Sequence, residues 1–331
     1  MVKVAIAGGA GNVGQEVHDA LIARGKHEII ILSRRNAPAE PLSPGVQWVK
    51  TSYDDVGQLA EVLKGVHTVL SFVAGPADPN NTAQRDTQKV LIDASIKAGV
   101  KRFAPSEWAA RKFDHMFWYG FKEEIRNYLA EVNKEKKVIE YSLFQPGLFT
   151  NYLTYPFNST KHVHLFETPI NYYKHRALTT EGGDDAILTL TTAQDFAKVV
   201  ALAVEYEGEW PLYSGIKGAT MTVSQIIALG EKLRGKSFEV TKLKPDELKA
   251  GVVKAPWLPW VDHPSIPKES IEAAASGFLT GFLLGIVAGN FEISDEWNQL
   301  LPDFEFTQPE EFLTTAWAAI DAGAKSVHTD Y

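Results

Sequence analysis

The sequence predicts an α/β fold with a doubly wound parallel sheet, and three observations lead to this prediction. The chain opens with a short apolar run, residues 2–7, that leads into glycines spaced G-x-x-G-x-x-G. A pattern with helical spacing follows at once, and short apolar runs then alternate with helical patterns over the first hundred residues. This alternation is typical of a parallel sheet that carries helices on both faces. The length leaves room for a second, smaller α/β domain.

The composition is typical of a soluble enzyme and excludes several other classes. Of the 331 residues, 45% are hydrophobic and 22% are charged, and the net charge of −8 argues against general nucleic-acid binding. The longest apolar run, residues 277–289, is shorter than the roughly 20 residues that cross a bilayer, and it predicts a buried helix. The absence of cysteine excludes disulfides and thiol catalysis. We expect a cytoplasmic monomer or homodimer with no nucleic-acid or membrane partner.

The glycine turn is predicted to bind a pyrophosphate. Without Cβ atoms, Gly8 and Gly11 let the backbone approach a phosphate, while Asn12 and Val13 begin the helix whose free N–H groups face its charge. Gly14 allows the helix to pack closely on the strand. Because the turn lies between a strand and a helix, we interpret it as a dinucleotide-binding turn of a Rossmann-type fold rather than a loop without a ligand.

The end of the second predicted strand, residues 28–32, indicates which dinucleotide binds. An acidic residue at this place would bind the ribose 2′-hydroxyl of NAD. The sequence instead has Arg34 and Arg35, whose guanidinium groups suit a 2′-phosphate. The sequence therefore favours NADP(H), with Arg34 the first candidate because it is closer to the strand. The alternative is a solvated charged turn.

The remaining elements of the first hundred residues complete the alternation. They are predicted as a strand at 46–49, a helix at 55–64, a strand at 66–73, a helix at 82–98 and a strand at 101–104. Ligands of doubly wound sheets bind at the carboxyl ends of the strands. The residues at the carboxyl ends of the last two strands and just after them are therefore predicted to line the cofactor cleft: Ser71, Phe72, Val73, Pro105, Ser106 and Glu107.

A strongly aromatic segment, residues 109–121, leads into a predicted helix that carries Lys122. Short-chain dehydrogenases usually place a tyrosine one helical turn before a lysine, which lowers the pKa of the phenol. Trp118 stands at that spacing here, and Tyr119 lies three residues before the lysine. We therefore expect Lys122 to act alone, the alternative being a surface lysine on an amphipathic helix.

The chain resembles the isoflavone reductase-like, or NmrA-like, atypical short-chain dehydrogenases, a family that includes phenylcoumaran benzylic ether and pinoresinol-lariciresinol reductases. The resemblance covers most of the chain. The segments that carry it are residues 8–14, 31–34, 100–108, 121–126, 141–153, 191–197 and 222–248.

The resemblance implies an NADPH-dependent oxidoreductase in which Lys122 is both the catalytic general acid and a cofactor contact. Relatives reduce hydrophobic, usually aromatic molecules such as enones, quinone-like compounds, ketones or benzylic ethers. Hydride addition leaves negative charge on a substrate oxygen, which a nearby ammonium can protonate. Aromatic residues near the lysine and after the predicted sheet are candidates for the substrate wall: Trp108, Trp118, Tyr119, Phe149, Tyr152 and Phe157.

The chain also departs from the plant pattern. Trp108 and Ala109 replace the usual Phe-Gly, and the aromatic segment before Lys122 is shorter, so the substrate does not transfer. A fungal-type member of secondary metabolism fits better. Two other functions stay open: an isomerase or cyclase in which NADP(H) is structural, and an NmrA-type NADP(H)-sensing regulator. Such regulators generally lack the lysine.

The domain organisation follows from these assignments. Residues 1–150 are predicted to form the NADP(H)-binding domain, to which 189–220 return, and 151–188 with 221–331 to form the substrate-binding domain. His162 and His164 share a face but have no third ligand, so no metal site is predicted. Two capping boxes, at 222–225 and 307–310, predict helix starts. A ring-rich loop at 256–264 is a candidate cover for the site.

Overall fold

The computed structural model describes residues 1–73, 82–260 and 270–328. In chain order the elements are β1 Lys3–Ala7, α1 Asn12–Arg24, β2 Glu28–Ser33, β3 Val46–Lys50, α2 Val56–Val62, β4 Thr68–Ser71, α3 Ala83–Ala98, β5 Arg102–Ala104, α4 Gly120–Val132, β6 Glu140–Tyr141, β7 Leu143–Gln145, β8 Leu148–Phe149, β9 Ile170–Asn171, β10 Arg176–Thr180, β11 Ile187–Thr191, α5 Ala193–Glu205, β12 Tyr213–Gly215, β13 Ala219–Thr222, α6 Val223–Arg234, β14 Glu239–Leu243, α7 Pro245–Lys249, α8 Ile271–Val287, α9 Glu296–Leu300 and α10 Pro309–Asp321. In addition, 3₁₀ helices cover Phe117–Tyr119 and Thr150–Thr154.

Six strands form one parallel sheet in the order β3-β2-β1-β4-β5-β6. Because side chains alternate across a strand, β1 contributes to two cores. Val4 and Ile6 pack with α1 and α5 on one face, and Ala5 and Ala7 pack with α2, α3 and α4 on the other. The predicted α/β class and doubly wound parallel sheet are confirmed. The order reverses between β1 and β4, which is where such sheets bind ligands.

Smaller sheets and helices build the rest of the chain. The strand orders are β14-β10-β9, β13-β11-β8 and β12-β7. A separate apolar core lies between α6, α8 and α10, with Ile226, Phe282 and Trp317 buried in it. Helix α5, in the segment predicted to return to the first domain, packs its apolar face against α1.

The two predicted capping boxes differ in outcome. Thr222 and Gln225 form the reciprocal bonds that begin α6, as predicted. At the second, the predicted helix start is confirmed, since α10 begins at Pro309, but the capping box is wrong, because Gln308 precedes the helix and makes no side-chain cap. Thr307 instead donates its N–H and hydroxyl to Asp195 at the start of α5, over 2.7 and 3.2 Å. The bonds to Asp195, which is distant in the sequence, thus take the place of the predicted capping bonds within the segment.

The apolar run at 277–289 lies in and just after α8, whose inward face is buried. Across the described ranges, no helix is long and apolar enough to cross a membrane. Towards the sheet, α8 faces the 3₁₀ helix Phe117–Tyr119 that precedes α4. This contact brings α8 next to the segment that carries Lys122.

Candidate active site

The glycine turn forms a backbone cradle at the end of β1. A Cβ atom on Gly8 would lie 2.7 Å from the carbonyl oxygen of Phe72, and one on Gly14 would lie 2.6 Å from the carbonyl oxygen of Gly8. Neither position leaves room for a side chain. Gly11 precedes the first residue of α1, and within the described chain no side chain caps this helix end. Its free N–H groups are therefore available to an anion. The structure brings together all five predicted residues of the turn: Gly8, Gly11, Asn12, Val13 and Gly14.

A buried tyrosine that sequence reasoning missed supports this cradle. The hydroxyl of Tyr53 donates to the carbonyl of Leu32 over 2.6 Å and accepts the N–H of Gly8 over 3.1 Å. Burial raises the pKa of this phenol to about 12, so it stays a neutral donor. Tyr53 has a left-handed φ of 63° just past β3. Its place at the carboxyl end of a strand is the signal that could have identified it.

The two arginines after β2 are exposed but have different surroundings. The guanidinium of Arg34 lies 5.8 Å from the centre of the Tyr53 ring and donates to Thr87 Oγ1 on α3 over 3.3 Å. The main chain of Arg35 donates to Ser33 Oγ and accepts from the indole N–H of Trp48 on β3. The Arg34 guanidinium therefore lies between α3 and Tyr53, the residue that contacts the glycine cradle.

The ends of β4 and β5 are braced by α3. The carbonyl of Val73 accepts from Gln84 Nε2 over 3.2 Å, and the N–H of Ser106 donates to Gln88 Oε1 over 3.0 Å. Pro105 is buried between β5 and Ser106. The predicted cleft residues thus lie at one edge of the sheet, with their backbones held from the same helix.

Trp108 packs on the end of β4. Its indole stacks on Phe72 with ring centres 4.3 Å apart and donates from Nε1 to the carbonyl of Ser71 over 2.6 Å. Further rings of the core, Phe144 and Phe196, lie 5.4 and 5.6 Å away. Trp108 therefore forms part of the cleft wall where β4 ends, and also part of the core.

Lys122 is buried at the start of α4, with 5% of its surface exposed. Its Nζ donates to the carbonyl oxygens of Ser106 and Glu107 over 2.6 and 2.5 Å, and lies 4.6 Å from the centre of the Tyr119 ring. An ammonium has three N–H donors, so one remains after these two bonds. Burial lowers the pKa of Lys122 to about 8, with Glu107 opposing the shift and Arg126 adding to it. The group can therefore exchange a proton near neutral pH.

The charged pair behind Lys122 was not predicted. Arg126 binds the Glu107 carboxylate through Nη2 at 2.6 Å and Nε at 3.2 Å. Only 1% of Glu107 is exposed, and the guanidinium of Arg126 lies 4.2 Å from the centre of the Phe113 ring. The spacing of Lys122 and Arg126, one helical turn apart, is the signal in the sequence.

Aromatic rings continue from the lysine into the second half of the chain. Tyr152 packs on Phe166 with ring centres 4.5 Å apart, Phe166 lies 5.3 Å from Phe278 on α8, and Phe278 lies 5.6 Å from Trp118. The series of neighbouring rings runs through Tyr119, Trp118, Phe278, Phe166, Tyr152 and Phe149. We call these six residues the aromatic wall. Burial raises the pKa of both tyrosines in it, so their hydroxyls are neutral.

Four of the six predicted substrate residues belong to the aromatic wall: Trp118, Tyr119, Phe149 and Tyr152. Phe157 has other ring neighbours, Tyr173 at 5.3 Å and Trp317 on α10 at 6.1 Å. The sequence places it close to Tyr152, but its ring packs towards Tyr173 and α10 and not into the series of wall rings. Conversely, the wall contains Phe278, which the sequence predicted only as part of a buried helix.

Two further features of the sequence, the pair of histidines and the ring-rich loop, make contacts outside the aromatic wall. His162 Nε2 lies 2.9 Å from Asp19 on α1, and no group of three or more His, Asp or Glu residues in the described chain could hold a metal. In the ring-rich loop, the guanidinium of Arg176 lies 3.7 Å from the centre of the Trp257 ring. The N–H of Trp260 donates to the Glu167 carboxylate over 3.0 Å, and its carbonyl accepts the N–H of Glu167 over 3.1 Å. The predicted loop residues 261–264 lie outside the described residues.

Similar proteins agree with this architecture. An oxidoreductase of Botryotinia fuckeliana, BOA1, is 26% identical over 94% of this chain and 100% of its own length. The phenylcoumaran benzylic ether reductase IRL1 of Ginkgo biloba is 24% identical over 94% of this chain and 97% of its own. The quinone oxidoreductase QOR2 of Escherichia coli, solved with NADPH, superposes with a TM-score of 0.68 at 19% identity, covering 94% of this chain and 99% of its own.

A second solved structure, AtPrR2 with NADP⁺ and (+)pinoresinol, has a TM-score of 0.67 at 20% identity and covers 95% of this chain and 98% of its own. The named relatives are oxidoreductases, the class predicted from the sequence, and the predicted resemblance is confirmed. The sequence model of the NmrA-like family matches residues 2–281. The chain therefore belongs to the NmrA-like family.

Proposed function

We propose that this protein is an NADPH-dependent reductase of a hydrophobic, aromatic small molecule, with Lys122 as the proton donor. The observation that carries the proposal is the placement of Lys122. Its buried ammonium lies where the ends of β4 and β5 meet the aromatic wall, and it keeps one N–H after binding two carbonyls. A surface lysine on an amphipathic helix, the alternative that the sequence left open, would have its amine in solvent.

The glycine cradle and the residues beside it fit an NADP(H) cofactor. The backbone around Gly8 and Gly14 leaves no room for side chains, and the uncapped start of α1 suits a pyrophosphate. The exposed guanidinium of Arg34 suits a 2′-phosphate. Two of the solved structures with this fold contain NADP⁺ or NADPH. When bound here, the cofactor would supply a hydride.

The protein's own residues would then supply the proton. Reduction of a conjugated carbon or a carbonyl leaves an electron pair on the substrate oxygen, and the Lys122 ammonium can donate a proton to that oxygen. Its pKa of about 8 makes this transfer easier than from an ordinary lysine. The rings of the aromatic wall would bind a flat substrate and exclude water, which strengthens the electrostatic contact.

The test is hydride tracing with NADPH deuterated at the transferable C4 position. The protein is incubated with aromatic enones, quinones and diketones, and the products are analysed by mass spectrometry. We expect deuterium in the product of at least one class, with NADPH preferred over NADH. Tight NADPH binding without any transfer would contradict the proposal and favour the NADP(H)-sensing regulator. Conversion of a substrate without NADPH consumption would favour the isomerase or cyclase.

A further inference from the structure

We propose that the buried Glu107–Arg126 ion pair is a positioning pair, which holds the Lys122 ammonium in place and sets its protonation. The inference rests on the proposed function for the role of Lys122 in turnover, but the pair's effect on the amine can be measured without a substrate. It gives a role to Arg126, which was not among the predicted site residues, and to Glu107, which the sequence predicted only to line the cofactor cleft.

Glu107 and Arg126 are both connected to the position of the Lys122 amine. Glu107 contributes twice, since its main-chain carbonyl accepts from Lys122 Nζ at 2.5 Å and its carboxylate accepts two bonds from Arg126. Lys122 and Arg126 are one turn apart on the same face of α4. Because the ion pair anchors the side chain of Glu107 to α4, it also fixes the carbonyl that holds the amine.

The electrostatics of the pair act on the amine in opposite directions. The Glu107 carboxylate favours the ammonium form of Lys122, whereas burial and Arg126 favour the neutral amine. Tyr119 is the other titratable group that contacts the amine, and burial raises its pKa to about 12, so it carries no charge near neutrality. The protonation of Lys122 therefore depends on two opposite charges, each of which can be removed separately.

A purely structural pair makes a different prediction. If Glu107 and Arg126 only stabilised the fold, then removing either would loosen the site and change Lys122 in the same direction. The chain offers a matched control in Glu167 and Arg176. Glu167 is also 1% exposed and 2.7 Å from the guanidinium of Arg176, which lies over the Trp257 ring. This pair is bound to β9 and β10 rather than α4.

The experiment is trace acetylation of the intact protein with acetic anhydride between pH 6 and 11. Mass spectrometry of the peptide that contains Lys122 gives the rate at each pH. The midpoint of the curve reports the amine's protonation, whereas its plateau reports accessibility. We compare the wild type with Glu107→Gln, Arg126→Met and the control Glu167→Gln, with thermal unfolding of each to confirm that it is folded.

We expect Glu107→Gln to lower the midpoint and Arg126→Met to raise it. In Glu107→Gln the rate of Lys122 acetylation at pH 7 should rise about three- to tenfold. A decrease of one unit in the pKa of the amine raises its neutral, reactive fraction about tenfold. Glu167→Gln should leave the midpoint unchanged. If Glu107→Gln does not fold, then the rise in Arg126→Met alone tests the proposal. Midpoints that do not move, or that move in the same direction in both variants, would overturn it. A catalytically silent Lys122 would instead refute only the proposed function.

Discussion

In the proposed reaction Lys122 donates one proton to the substrate. The reaction rate should therefore depend on pH in the range where Lys122 loses its charge. Because its pKa is lowered to about 8, the ammonium is present below that pH and is lost as the pH rises through it. We expect kcat/KM to fall above about pH 8, approaching tenfold per pH unit. The measurement is the pH profile of NADPH oxidation with an accepted substrate. A flat profile from pH 7 to 10 would contradict proton donation by Lys122.

The hydrogen bonds of the Tyr53 hydroxyl predict that it contributes to NADPH affinity. Tyr53→Phe removes the hydroxyl that accepts the N–H of Gly8 and donates to the carbonyl of Leu32. We expect a loss of about 1 to 1.5 kcal/mol, or roughly tenfold in NADPH affinity, because the Gly8 N–H loses one of its two acceptors and keeps only the carbonyl of Leu32. Fluorescence titration with NADPH measures this. Tyr128→Phe is a matched control, since it removes a hydroxyl that bonds to Asp93 between α4 and α3 rather than to the glycine turn. Equal NADPH affinity in Tyr53→Phe and wild type would exclude the supporting role.

The sequence predicts the glycines and Arg34 as site residues because each belongs to a local pattern with a chemical meaning, and it predicts Lys122 through the family resemblance. Tyr53 and Arg126 act through partners 45 and 19 residues away in the chain. Such contacts depend on how strands and helices meet, and no spacing rule contains them. Phe157 shows the converse, since closeness to Tyr152 in sequence did not bring it to the aromatic wall.

At the scale of elements, α8 positions the segment before Lys122 through its glycines. Gly277, Gly281 and Gly285 are four residues apart and share a face. A Cβ on Gly281 would lie 2.5 Å from the carbonyl of His115 and 2.8 Å from the ring of Trp118. The glycines therefore allow α8 to pack closely on residues 114–118. The sequence predicted this helix as buried, but periodicity does not identify what a helix packs against.

Gly281→Ala tests this contact. The added methyl group has no room, so we expect a loss of about 1 to 3 kcal/mol in the free energy of unfolding. Gly120→Ala in α4 is the control, because a Cβ there meets no atom within 4 Å in the described structure. It should be neutral or stabilising, since alanine favours helix over glycine. Denaturant unfolding measures both variants. Equal stability of Gly281→Ala and wild type would show that α8 and the segment adjust freely.

At the scale of the whole molecule, helix α1 joins the cofactor cradle to the second half of the chain. The buried carboxylate of Glu16 accepts the N–H groups of His162 and Val163 over 2.7 and 3.2 Å. Asp19 pairs with Lys161 and His162 over 2.8 and 2.9 Å. The segment that follows Tyr152 and the 3₁₀ helix is thus fastened to the helix whose start is predicted to bind pyrophosphate.

This arrangement predicts that cofactor binding stabilises the whole fold. At a hundred times the Kd, a ligand that binds only the folded state adds about 2.7 kcal/mol. We expect NADPH to raise the Tm more than NADH at equal concentration, and Arg34→Ala to remove most of that difference. Thermal unfolding with each cofactor measures it, and Arg35→Ala serves as the matched control. An undiminished preference for NADPH in Arg34→Ala would contradict the 2′-phosphate assignment.

The overall architecture was predictable because a parallel sheet leaves a regular trace in sequence, with buried runs alternating with helical patterns. The second half of the chain was not predictable in the same detail. Its strands are two to five residues long and pair across large separations, such as β10 with β14 and β8 with β11. Short strands carry too few residues for a period to emerge. The wall that the structure forms from Phe166 and Phe278 depends on those pairings.

The central claim is that Lys122 supplies the proton for a reduction by NADPH. Steady-state NADPH oxidation with an accepted aromatic substrate, measured for wild type and Lys122→Ala, tests it most directly. We expect kcat, measured at saturating NADPH, to fall by about 10² to 10⁴, the contribution of a general acid. The exposed Lys112→Ala serves as the control and should retain wild-type turnover. Wild-type turnover in Lys122→Ala, with equal NADPH binding, would contradict the account.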